Sequence, residues 1–209
     1  MNDLERKKEL DVIKEEVLVC AKCHLSETRI KTVPGSGSYE AEIMFIGEAP
    51  GANEDKEGIP FCGAAGKFLD EMLASIDLDR DKIFITNSVK CRPPGNRDPE
   101  DDEKSVCRPY LEKQIKLINP KMIVALGRHA VSTLLPGMSG ISKLHGHALK
   151  RPNGIVYLPL YHPAAALHNG GLRSTLVADF QKIPSILQKI KQTNINEDPE
   201  MSSKQEKII

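Results

Sequence analysis

The sequence predicts an α/β fold: a single-domain α/β/α sandwich with a four-stranded, mostly parallel sheet flanked by helices. Three observations lead there. Four short runs rich in apolar residues, at 42–46, 82–87, 122–127 and 155–160, carry little or no charge, as strands buried on both faces do. Stretches of helical spacing separate them, and that alternation implies right-handed crossovers and a parallel sheet covered on both sides. Each run also leads into a loop rich in Gly, Pro and polar groups, at the sheet end where open α/β folds bind ligands.

Residues 2–19 open the chain as an amphipathic helix, with Leu4, Leu10, Ile13, Val17 and Leu18 near one face. Cys20-Ala21-Lys22-Cys23 follows, and 26–40 reads as a polar loop. After the first strand, Gly47-Glu48-Ala49-Pro50-Gly51 begins a long loop, with helical spacing from Gly66 to Ser75. The second strand ends in Thr86-Asn87 and runs into 91–99, where proline excludes helix and central strand. Asp98-Pro99 fits a helix start. That helix runs to Ile118, with a kink or break expected at Pro109. A further helix is expected over 128–135, a short strand near 146–150, and a last helix over 172–191 bent at Pro184. Residues 1–191 form the domain. Residues 192–209 are polar and are expected to be a disordered tail.

The bulk numbers exclude several classes. With 209 residues and Lys+Arg equal to Asp+Glu at 29 each, any nucleic-acid surface must be a local basic patch. No apolar run approaches the roughly 20 residues that span a bilayer, and the charged N-terminus has no signal-peptide core. The expectation is a cytoplasmic monomer that does not touch membranes. Five cysteines in a reducing compartment point to metal ligation or catalysis rather than disulfides.

Cys20 and Cys23, with Cys91 and Cys107, offer four thiolates in two local groups. These close a tetrahedral zinc site or an iron–sulfur cluster, and spacing does not choose between them. Cys62 has no near partner. At the strand ends stand Glu48 and Glu54, Asn87, and His162. A carboxylate orients water or steadies a cation, an Asn amide matches an amide or pyrimidine edge, and a His donates to a developing anion. Phe61 offers a face to a planar ligand. Singly, each has an ordinary explanation as a loop acid, a cap or a core residue. Converging at one sheet end, they suggest a site. Lys90, Arg92, Arg97 and Arg108 near the cysteines, with Lys143, Lys150, Arg151 and Arg173 later, are candidates for phosphate contact.

Taken together, Gly47-Glu48-Ala49-Pro50-Gly51 with Glu54-Asp55, Pro60-Phe61, Thr86-Asn87, Lys90-Cys91-Arg92-Pro93-Pro94-Gly95-Asn96-Arg97 and His162-Pro163-Ala164-Ala165-Ala166-Leu167 resemble the family 4, iron–sulfur uracil-DNA glycosylases. The resemblance spans about Leu10 to Ile190. It implies a monofunctional DNA-repair glycosylase that flips uracil out of single- or double-stranded DNA and leaves an abasic site. It implies a [4Fe–4S] cluster on Cys20, Cys23, Cys91 and Cys107, with zinc the alternative. Uracil would lie among Gly47, Glu48, Ala49, Phe61, Asn87 and His162. Glu48, Glu54 and His162 would be catalytic, with Glu54 facing the sugar and Glu48 serving pocket wall and water. Lys90, Arg92, Arg97, Leu167 and Arg173 would contact DNA, Leu167 as the wedge. A sliding clamp is a candidate partner, through the tail. The chain departs from the family pattern at His168-Asn169-Gly170-Gly171, where Arg is usual after Leu167. Two other readings stay open: a non-catalytic iron–sulfur module that binds DNA or uracil, and an α/β enzyme that cradles phosphate in the Gly47–Gly51 loop.

Overall fold

A computed structural model describes residues 2–138, 140–167 and 169–196. In order, the elements are α1 (Asp3–Leu18), α2 (Leu25–Thr28), β1 (Ser36–Gly37), β2 (Ile43–Gly47), α3 (Ala52–Glu57), α4 (Ala64–Ala74), β3 (Phe84–Asn87), α5 (Asp101–Ile118), β4 (Met122–Leu126), α6 (Arg128–Leu134), α7 (Ile141–Leu144), β5 (Leu149–Lys150), β6 (Val156–Leu160), α8 (Pro163–Leu167), α9 (Gly170–Phe180) and α10 (Ile183–Asn196). The sheet order is β1-β3-β2-β4-β6-β5. The four expected strands form its parallel centre. β1 and β5 add two-residue antiparallel edges, so the sheet has six strands where four were expected.

The unbroken apolar runs follow from the pleat, which sends successive side chains to opposite faces. Met44 and Ile46 enter one core layer beneath α1 and α5, with Leu10, Ile13, Val17, Tyr110 and Leu111. Ile43 and Phe45 enter the other, with Phe68 and Leu69 of α4 and Phe180 of α9. Both layers need apolar partners, so neither face of the strand carries a polar residue.

The 48–65 segment is more ordered than a long loop. Glu54 accepts the Gly51 N–H at 3.0 Å, and Gly58 ends α3 in the left-handed conformation, φ 75°. A helix therefore forms over Ala52–Glu57, and α4 starts at Ala64. α5 runs unbroken through Pro109 and begins after Glu100, not at Asp98. Glu103 accepts the N–H of the cap residue Glu100 at 2.7 Å, the reciprocal half of a capping box, so the helix cap lies two residues beyond Asp98. The expected last helix is two helices, α9 and α10, parted at Gln181–Lys182, with Pro184 in the first turn of α10. α10 continues past 191 to Asn196. Residues 197–209, and with them most of the expected tail, lie outside the described residues, as does His168.

Candidate active site

The carboxyl ends of β2, β3 and β6 converge on a cavity of about 320 Å³ lined by Glu48, Glu54, Phe61, Asn87, Arg97 and His162, among others. Its floor follows from Gly47, paired with Asn87 across the β2–β3 ladder. A side chain at Gly47 would put its Cβ 2.4 Å from Asn87 Oδ1 and 2.9 Å from Phe61 Cζ. Only glycine lets the amide and the ring close over the strand end. Asn87 is 2% exposed, and its side-chain amide bonds to no described residue. A buried amide left unpaired costs ~1–3 kcal/mol, so an amide turned into a cavity is suited to reading a ligand edge.

Phe61 holds φ 51°, a left-handed backbone that bulky residues avoid at a cost of roughly 1–3 kcal/mol. Three contacts impose it. Arg80 donates to the Phe61 and Pro60 carbonyls. Glu54 Oε1 accepts the Cys62 and Gly63 N–H groups, each at 3.1 Å. Gly66 leaves room for the Phe61 carbonyl, which a Cβ there would approach to 1.7 Å. Both Glu54 oxygens are thus taken by backbone, Oε2 by Gly51. Glu54 lines the cavity as a brace between two loops.

His162 follows β6. Its ring stacks on Phe61, with centroids 5.5 Å apart, and its Nδ1 accepts the Ala164 N–H at 3.1 Å. Burial holds its pKa down at about 4, against an opposing pull from Glu54. The ring is therefore neutral, and since Nδ1 is an acceptor its proton sits on Nε2. Glu48 is 27% exposed in its side chain. Burial pushes its carboxyl up to about 7; Asp98 adds to this, and Arg128 and Lys104 oppose it. Two carboxylates from the same loop thus differ: Glu54 is held by backbone donors, while Glu48 faces side chains and the cavity.

The four cysteines Cys20, Cys23, Cys91 and Cys107 line one small pocket under α1 and α5, with Arg29 and Tyr110. Arg29 Nη1 lies 3.2 Å from Cys91 Sγ, and the Lys90 N–H donates to Cys107 Sγ at 3.2 Å. Donors aimed at sulfur suit ligating thiolates. Burial raises the thiols of Cys23, Cys91 and Cys107, Cys91 to about 11, so ligation is what would make them thiolates. No three of these sulfurs lie within 4.8 Å of one another. Four cysteines in one buried pocket make a donor set suited to a metal group, and that set by itself does not choose between zinc and iron–sulfur. Cys62 is not part of this group. Its thiol is raised by burial, and its backbone N–H belongs to the Glu54 brace.

One basic candidate is overturned. Lys90 is 1% exposed, and its Nζ donates to Thr86 Oγ1 at 2.6 Å, Gln114 Oε1 at 2.7 Å and the Asn87 carbonyl at 2.9 Å. Burial lowers its pKa to about 8. It cannot reach DNA; it props the base of Asn87. Arg97 lines the cavity mouth and pairs with buried Glu103 at 2.6 Å. Arg92 bonds Asn96. Arg173 pairs with Glu71 and covers the Phe68 ring. Leu167, 39% exposed at the end of α8, presents an apolar tip to solvent.

Sequence reasoning missed Arg29, Arg80, Asp98 and His129. Asp98 was visible only as a cap, and the other three are single residues in unremarkable surroundings. Asp98, His129 and Glu48 come together across 81 positions of the chain only through the fold.

The uracil DNA glycosylase superfamily model matches residues 34–183. The chain is 54% identical over 182 residues to the type-4 uracil-DNA glycosylase of Sulfurisphaera tokodaii, covering 83% of each chain. It is 45% identical over 185 residues to that of Archaeoglobus fulgidus, covering 83% of this chain and 91% of the relative. Similarity to the type-5 uracil-DNA glycosylase of Thermus thermophilus is lower, 34% over 152 residues, covering 63% and 68%.

Proposed function

The chain belongs to the type-4 family within the uracil DNA glycosylase superfamily, and on that premise we propose that the strand-end cavity excises uracil from DNA as a monofunctional glycosylase. The observation that carries this is Asn87: a buried amide unpaired among the described residues, opening onto a cavity walled by Phe61 and His162. A flipped uracil stacks on Phe61 above Gly47 and Ala49, and its N3 and O4 edge pairs with Asn87. Cytosine presents an amino group in place of O4 and leaves a buried donor mismatched, at ~1–3 kcal/mol.

As the C1′–N1 bond breaks, its electron pair moves to uracil and charge gathers on O2. His162, neutral with its proton on Nε2, donates to that oxygen. The sugar becomes oxocarbenium-like, and water adds at C1′. Glu48 is the carboxylate free to orient that water and accept its proton. Glu54 holds the Glu48 and Phe61 loops in register, in place of the sugar-facing role expected from the sequence, while Glu48 keeps the water. Leu167 fills the stack the base has left, and Arg92, Arg97 and Arg173 lie toward the phosphates.

Cys20, Cys23, Cys91 and Cys107 would hold a [4Fe–4S] cluster. When bound, it would supply a structural cross-link between the segment that follows α1, the 91–98 loop and α5, and no chemistry at the sugar. No described helix is long and apolar enough to cross a membrane. The sliding-clamp expectation rests on residues outside those described.

The test is an end-labelled oligonucleotide with one uracil, with thymine and cytosine controls, incubated in EDTA and then treated with alkali. Cleavage at uracil alone is expected. No cleavage by folded protein would leave uracil binding without catalysis as the reading.

A further inference from the structure

We propose that Asp98 and Arg128 are positioning residues that set the charge of Glu48, and through it the pH range in which water is delivered to the sugar. The inference rests on the glycosylase reading above. In the step assigned to Glu48, the C1′–N1 electron pair leaves with uracil, a water oxygen bonds to C1′, and a water proton passes to the carboxylate. Glu48 must therefore be ionised beforehand, and whatever biases its ionisation biases the rate.

The groups that face Glu48 come from three elements. The 91–100 loop brings Asp98, α6 brings Arg128 and His129, and α5 brings Lys104. Glu48, Asp98 and His129 each place a polar atom within 4.8 Å of the other two. His129 Nε2 lies 3.1 Å from Asp98 Oδ2 and 3.9 Å from Glu48 Oε1. Arg128 Nη2 donates to Asp98 at 2.8 Å, and its Nε donates to His129 Nε2 at 2.8 Å. His129 Nε2 sits between the Arg128 Nε–H and the Asp98 carboxylate, and burial lowers its pKa against the pull of Asp98. Two carboxylates then share one neighbourhood with one close guanidinium. Lys104 is partly engaged with Asp101 at 2.8 Å.

The signs follow from Coulomb's law. Ionised Asp98 opposes ionisation of Glu48, and Arg128 favours it. Neither needs to touch the substrate for this. The raised value for Glu48, about 7, agrees with the geometry. Asp98 also lies on the loop that begins at Cys91, so the segment fastened by the cysteines delivers the charge that tunes the site.

The experiment is the single-turnover rate of uracil excision at saturating enzyme, from pH 5 to 9, for wild type, Asp98→Asn and Arg128→Gln. Saturation removes DNA affinity from the readout, including any phosphate contact by Arg128. The acid limb is expected to move down by roughly one pH unit in Asp98→Asn and up by a similar amount in Arg128→Gln. Opposite shifts are what a merely structural role would not produce. Limbs that stay with wild type, or move the same way, overturn the inference. Should Asp98→Asn fail to fold, Asp98→Ser and Arg128→Gln carry the same test. A wild-type chain that excises no uracil overturns the glycosylase reading and this inference together; wild-type excision with unmoved limbs overturns the inference alone.

Discussion

The Glu54 carboxylate accepts the backbone N–H of Cys62 at 3.1 Å. One side chain on α3 thereby fixes the turn that carries Phe61, and its other oxygen fixes Gly51 at the start of its own helix. The two loops that shape the cavity share a single anchor.

Replacing that anchor tests its role. Glu54→Gln turns one acceptor oxygen into an N–H₂ group that faces backbone N–H donors. A loss of about 1–3 kcal/mol in unfolding free energy is expected, with weaker uracil binding as Phe61 loses its seat. Denaturant melts alongside the uracil inhibition constant measure both. An unchanged melt with abolished chemistry would instead make Glu54 the reacting acid.

His162→Ala removes the donor aimed at the departing base. Single-turnover excision is expected to fall about 10²–10³-fold. Because burial keeps this imidazole neutral down to about pH 4, the acid limb of the surviving activity is expected at the wild-type position. A limb that disappears with His162 would mean the ring works in its charged form.

Glu48→Gln is expected to lose excision and gain stability. The carboxyl titrates near 4.5 when unfolded and about 7 when folded. Between those values the folded chain keeps a proton that the unfolded chain has released. Stability therefore falls as pH rises through that window, and the whole cost is present above pH 7. Glu48 keeps some contact with water, so about 1–2 kcal/mol is the expected gain at pH 8, with little at pH 4.5. Thermal melts at the two pH values decide it; equal gaps at both would remove the linkage.

Lys90→Met separates a buried prop from a DNA contact. It strands Gln114, Thr86 and the Asn87 carbonyl, so a cost of roughly 2–4 kcal/mol is expected. The slope of DNA affinity against salt should not change, whereas each lost phosphate contact lowers it by about one. A reduced slope would return Lys90 to the DNA surface.

Leu167→Ala should slow excision from a uracil–adenine pair by about tenfold, and much less from a single strand. Filling the stack matters only where a stack is broken, and tenfold corresponds to about 1.4 kcal/mol. Equal losses on both substrates would place Leu167 outside the wedge role.

Much of this molecule can be read from its sequence. The runs around Phe45, Ile85, Val124 and Leu158 are mostly apolar because both faces of the sheet are covered, and they mark the strands and the sheet end where the site lies. Asn87, Phe61 and His162 follow from that placement and from the family motifs. Lys90 was misread because lysine is rarely buried and because Arg92 and Arg97 follow it in the same loop. The split between Glu48 and Glu54 had a visible signal: Gly51-x-x-Glu54 at a helix start is the position where a carboxylate turns back onto backbone. Arg29 on Cys91, Arg80 on Phe61 and His129 beside Glu48 depend on contacts between distant segments, and no local pattern reports them.

The cysteine pocket also bears on how the unfolded chain is constrained. Arg29 and Cys91 meet across 62 positions, and Cys20 and Cys23 bring the chain to the same place from earlier still. Closing a loop of that size in a free chain costs roughly 3–4 kcal/mol of entropy. A cofactor that bridged those sulfurs would meet that cost once, in advance, for everything between them. The enclosed stretch includes β2, Glu48, Glu54, Phe61 and Asn87. A metal group that never approaches the base would therefore act on excision through the topology of the chain, by making the disordered alternatives to the active site scarcer.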